Sequence, residues 1–354
     1  MSPLVLLPAL ALAALVSLAA AGLLLVAGLG APQLAAHLAF ALGIGPLILA
    51  AMSYFIPVLT RSAAAGFGVW WPPLLAWSGG VLAVYAFAGD VSPAMLSLAA
   101  TLVGVAAAGL GGWALLRVRR MFGPRHRGLD WYLAALGFLL LAVLAIVLMP
   151  LYPEQRNALR LFHLHANLLG FVGLTALGTL QVLMPTCVGR PDPDAAVRLR
   201  RDLKWAVGGV LLISLGAAVA LRAGAMLTVL GAALYGWVVC SMLLGWLRGF
   251  GKDLVRTDGA APSLAAAALG LLSLLALGLA HGAGWVPARP AVAGYVIAFL
   301  LPLVSGAAAH LMPVWLRPGV QNEWHATLRA RLCRWGGVRG LILLFLGLAL
   351  TAAT

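Results

Sequence analysis

Gln181-Val-Leu-Met-Pro185-Thr-Cys-Val-Gly-Arg190 closes a long apolar run. It has two counterparts, Ser53-Tyr-Phe-Ile-Pro57-Val-Leu-Thr-Arg61 and Ala309-His-Leu-Met-Pro313-Val-Trp-Leu-Arg317. The three prolines, Pro57, Pro185 and Pro313, follow one another at intervals of 128 residues. One apolar run ending in Pro and then Arg is ordinary for a membrane helix, where Pro is tolerated and Arg marks the inner face. Three such ends at one interval point to a repeated unit.

Outward from these ends, apolar runs of about 20 residues, long enough to cross a bilayer, fill the chain. Hydropathy and helix breakers predict eleven spans, at 4–29, 33–59, 69–89, 92–116, 130–150, 160–187, 204–221, 224–247, 262–284, 290–316 and 338–353. The Pro–Arg ends close the second, sixth and tenth, so the unit is four helices. The expected fold class is therefore an all-α integral membrane protein: one polytopic domain over 1–354, built of pseudo-repeats at roughly 1–127, 128–257 and 258–354. The first run, Leu4 to Leu29, lacks a basic flank and is read as a retained span.

Composition supports lipid as the solvent. Apolar residues make up 63% of the 354 and charged residues 9%, with a mean hydropathy of +1.04; a soluble domain carries about 25% charge. The net charge of +14 lies in short clusters between apolar runs, which fits orientation signals facing anionic lipid and not a nucleic-acid surface. With the N-terminus in the cytoplasm, only Arg156, Arg160, Arg222 and Arg289 of the 23 Lys and Arg fall outside. The expected location is a bacterial-type inner membrane, with the C-terminus outside. Cys187, Cys240 and Cys333 form no CxxC pair, so neither a disulfide framework nor a thiolate zinc site is indicated.

Carboxylates, the usual mark of proton pathways, are confined to the expected loops and inner face: Asp90 and Glu154 outside, and Asp130, Asp192, Asp194, Asp202, Asp253, Asp258 and Glu323 at or within the inner side. Histidines remain. His37, His163, His165 and His281 gather at the outer ends of their spans, His310 lies at an inner end, and His126 and His325 fall in inner loops. His37 and His165 each stand 20 residues before the repeat proline, at one height on equivalent helices. Neutral imidazole ligates haem iron and copper, so this pair is the candidate for a b-type haem. His163, two residues from His165, points about 200° away around the helix; with His281 it is a candidate copper ligand. Against this, a histidine near the interface often serves only as a polar anchor. His310 lies 17 residues deeper than Ala293, the third-copy equivalent of the pair, or about 25 Å along a helix; it is read as a buried histidine bonded to a carbonyl.

The stretch Phe162-His-Leu-His165-Ala-Asn167-Leu-Leu-Gly170, running through Gly178 to Pro185, resembles the haem-ligand helix of haem-copper oxidase subunit I, in its nitric oxide reductase and cbb3-type branches. His37 through Tyr54-Phe-Ile-Pro57 resembles a second copy. The resemblance implies three four-helix units in pseudo-threefold arrangement with haem toward the outer face. It also implies a low-spin haem on His37, with His165 as sixth ligand. The departures matter as much. The expected seventh span has no His, and Ala293 and Tyr295 stand where the family has a His pair in its tenth. No oxygen- or NO-reducing centre assembles on that template, so an enzyme is not expected.

The expected function is a haem-binding membrane protein, with copper a further candidate, serving electron transfer, sensing or respiratory and denitrification assembly beside a cytochrome or respiratory-complex subunit. The alternatives are a non-redox membrane transporter and a structural subunit of a respiratory complex.

Overall fold

In a computed structural model of the chain, the described residues are 3–89, 92–121, 123, 125–219, 222–285 and 291–352. Asp90 and Arg289, both expected in outer loops, lie outside them. The chain is 86% helix with no strand among the described residues. Among the described residues, besides a short 3-10 turn at Phe67–Val69, the helices run in order: α1 (Pro3–Ala27), α2 (Pro32–Leu59), α3 (Trp71–Ala88), α4 (Pro93–Arg120), α5 (Gly128–Leu148), α6 (Pro153–Val188), α7 (Ala195–Ala218), α8 (Arg222–Leu254), α9 (Ala260–Gly282), α10 (Ala291–Leu316), α11 (Glu323–Cys333) and α12 (Gly336–Ala352).

Among the described residues ten helical stretches are long and apolar enough to cross a bilayer, the last running over Glu323–Ala352; the chain is a multi-pass membrane protein. The span expected at 204–221 is not among them. Helix α7 begins at Ala195 and carries Arg198, Arg200, Arg201, Asp202 and Lys204 in its first half. Its apolar remainder, 205–218, is about 14 residues, or roughly 21 Å, against a hydrocarbon core of about 30 Å. Two of the charges are held inside protein: Asp202 is fully buried, Arg198 is nearly so, and Arg201 Nε sits 2.6 Å from Asp202 Oδ1. A buried carboxylate needs such a partner.

The chain forms two compact units. The first comprises 1–39, 180–193 and 239–354, the second 40–179 and 194–238. In the first, α10 packs against α1, α9 and α11, while α12 packs along α9. Small residues set the spacing: a Cβ on Gly347 would come within 2.5 Å of the Ala298 backbone nitrogen. Buried Ala266, Ala298 and Leu344 form a cluster there. In the second unit, α3 to α6 pack in sequence order and the first half of α6 lies on α7. There, a Cβ on Gly178 would meet Trp131 Cβ at 2.6 Å, and one on Gly170 would meet Phe138 Cγ at 2.5 Å. Trp131, whose place near a span end suggests an interfacial belt, is instead fully buried, its indole N–H donating to the Leu199 carbonyl at 2.9 Å. Met52 and Met184 are fully buried core residues.

Three of the helices share a local irregularity. Helices α2, α6 and α10 each contain one π-helical segment, at Leu38–Ile44, Ala166–Gly173 and Tyr295–Leu300. A shift of 128 residues carries 38–44 onto 166–172 and then onto 294–300, so the segments coincide within a residue. Two copies show the cause in sequence. Pro46 and Pro302 stand two residues past their segments, and a proline inside a helix lacks the N–H donor and crowds the carbonyl four residues back. A locally wider turn accommodates both defects. The middle copy has Leu174 there instead. Its segment contains Gly170 and Gly173, and the Leu169 carbonyl accepts from the Tyr235 hydroxyl at 3.2 Å.

Candidate functional site

His37 is the last α-helical residue of α2 before its π segment, and His165 holds the same place in α6. The two rings are held alike. His37 Nδ1 lies 2.7 Å from the Gln33 carbonyl, and His165 Nδ1 lies 2.9 Å from the Leu161 carbonyl, each four residues back. A carbonyl can only accept, so each bond sets the tautomer with the proton on Nδ1 and the lone pair on Nε2. A metal-binding imidazole is usually oriented this way, by a bond from its other ring nitrogen to a carbonyl or carboxylate. Both side chains are partly buried. His37 belongs to the first unit and His165 to the second.

The π segment matters because it begins one residue beyond each histidine. It changes the phase of the helix after it, so the histidine-bearing turn and the half ending in Pro and Arg do not share one helical face. In α10 the equivalent position is Ala293, buried and without a ligating atom. Behind it Tyr295 and Phe299 stack edge to face at 5.0 Å.

His163 faces elsewhere. Its Nδ1 lies 2.9 Å from the Ala142 carbonyl of α5, and its own carbonyl accepts from Asn167 Nδ2 at 3.0 Å. Thus the two histidines of α6 serve different neighbours, as their i, i+2 spacing requires. His281 lies exposed in the last turn of α9, in the other unit. Among the described residues no group of three or more His, Cys, Asp or Glu side chains could hold a metal ion.

The other histidines have structural roles. His310 is buried, and its carbonyl accepts from Arg329 Nε at 3.3 Å. His325 lies not in a loop but in the first turn of α11. Its Nδ1 accepts from the Asn322 N–H at 3.1 Å in a capping box, and its Nε2 donates to the Arg317 carbonyl at 2.7 Å. His126 is in the loop before α5, where Nδ1 accepts from the Gly128 N–H at 3.1 Å.

Sequence reasoning found the paired histidines but missed the π segments. The signal was present in Pro46 and Pro302, which are two repeat intervals apart. Also missed was the convergence of Cys187 and Cys333, 146 positions apart in sequence, on one cavity.

These observations describe a polytopic helical membrane protein with a repeated, tautomer-fixed histidine at one register of two helices. The chain matches no protein-family model, no curated protein and no solved structure.

Proposed function

We propose that the protein binds haem, with His37 and His165 each a candidate ligand, on a scaffold like haem-copper oxidase subunit I that lacks the reducing centre. In this reading it acts in electron transfer, sensing or assembly at a bacterial-type inner membrane. One observation carries the reading. Two histidines at equivalent repeat positions both commit Nδ1 to the i−4 carbonyl and both precede a π segment. A histidine that served only as a polar anchor would not need its tautomer and its register relative to the closing proline repeated. Bound haem would supply a one-electron couple. The chain's own contribution is to orient each imidazole through its Nδ1 bond to the carbonyl one turn back.

The proposed orientation keeps the N-terminus inside. It requires α7 to complete a crossing despite its short apolar part, because otherwise the basic groups after α8 would be exported, against the positive-inside rule.

A pyridine haemochrome spectrum of detergent-purified protein tests the haem assignment. Haem-replete cells should yield coloured protein with about one haem or more per chain. Colourless protein without iron or copper by elemental analysis would overturn the reading.

A further inference from the structure

Two of the three cysteines line one cavity of about 670 Å³ in the first unit. Cys187 comes from the end of α6 and Cys333 from the end of α11, and both are partly exposed. Arg256, Arg331 and Arg334 are among the residues that line it, as are the acidic Asp253 and Asp258. These carboxylates are already engaged. Asp253 pairs with Arg190, and its other oxygen lies 3.7 Å from Arg256. Asp258 Oδ1 accepts the Trp335 backbone N–H at 2.6 Å. Arg331 and Arg334 form no ion pair among the described residues; Arg334 lies over the Trp335 ring at 5.9 Å.

The start of α9 completes the wall. Its N-cap is Gly259, which has no side chain to cap the helix; the Gly259 N–H donates to the Cys333 carbonyl at 2.9 Å, and the Ala260 N–H lies against the Cys333 thiol. The cavity therefore joins two arginines that form no ion pair among the described residues, a third shared with Asp253, and the positive end of a 23-residue helix. Guanidinium forks match the oxygens of a phosphate. The cavity also adjoins the end of α6 just before Arg190, the side where the three Pro–Arg ends place the lipid headgroups.

We propose that this cavity binds a phosphate group, from an anionic lipid headgroup or from a free phosphorylated solute. The two thiols supply the readout. In full-length Cys240→Ser protein in maltoside micelles, alkylation of Cys187 and Cys333 by N-ethylmaleimide is tracked site by site by mass spectrometry. Inorganic phosphate is added in one arm and phosphatidylglycerol in the other, with thermal stability read in parallel. Occupancy should slow alkylation about threefold at a ligand concentration twice Kd and raise the melting temperature. Protection by the lipid alone identifies a headgroup, and protection by both identifies phosphate itself; either supports the site. Arg331→Gln with Arg334→Gln should abolish both effects, and Arg331→Lys with Arg334→Lys, which keeps the charge, should weaken them. Absence of both effects in both arms, or their full retention in the Gln variant, would overturn the proposal.

Discussion

At the scale of single residues, His37 and His165 carry the sharpest test of the proposed haem reading, because their Nδ1 bonds fix the orientation of both rings. His37→Ala and His165→Ala should each shift or abolish the Soret band, whereas His310→Ala should not. Unchanged spectra in both of the first two variants would remove the assignment. His126 makes a different prediction. Burial, and then the nearby Arg61 charge, hold its imidazole below the ordinary value of 6.5. Its Nδ1 accepts the Gly128 N–H, which only an unprotonated nitrogen can do. Because the folded-state pKa is depressed, the stabilisation is present above the unfolded value near 6.5 and is lost as pH falls through the lower folded value. Melting temperature measured from about pH 7 down to about pH 5 should therefore fall less steeply in His126→Gln than in the parent.

At the scale of elements, close helix approach in the second unit depends on glycine. Gly178→Val would drive a branched side chain against Trp131 in α5, and overpacking of this kind costs about 1–3 kcal/mol. A clear drop in thermal stability is expected for Gly178→Val, and little change for Gly112→Ala, where an added Cβ meets nothing within 4 Å. The helices themselves were legible from sequence, since hydropathy and the Pro–Arg ends report local chemistry along a single strand of chain. Helix α7 was harder to read. Its charged first half looked like a loop because nothing local reveals that Asp202 would be buried beside Arg201, or that Leu199 would accept the Trp131 indole. The sites divide in the same way. The equal height of His37 and His165 could be counted along the chain, whereas the meeting of Cys187 with Cys333 depends on where two distant helices end.

At the scale of the whole molecule, topology is the decisive measurement. Fusing a fluorescent protein or alkaline phosphatase after Asp258 and after Thr354 separates the alternatives. With α7 crossing, the first junction should be fluorescent and inside, and the second phosphatase-active and outside. If α7 does not cross, both results invert. One π segment also lies in each of α2, α6 and α10. Each segment acts like about one extra residue in a helix of 3.6 per turn, rotating the remainder of the span by roughly 100°. Each of these spans thus presents two surfaces to different neighbours, one on either side of the slip. Changes to the half before the slip can then leave the contacts of the Pro–Arg half untouched, so the two halves of one span are free to diverge independently.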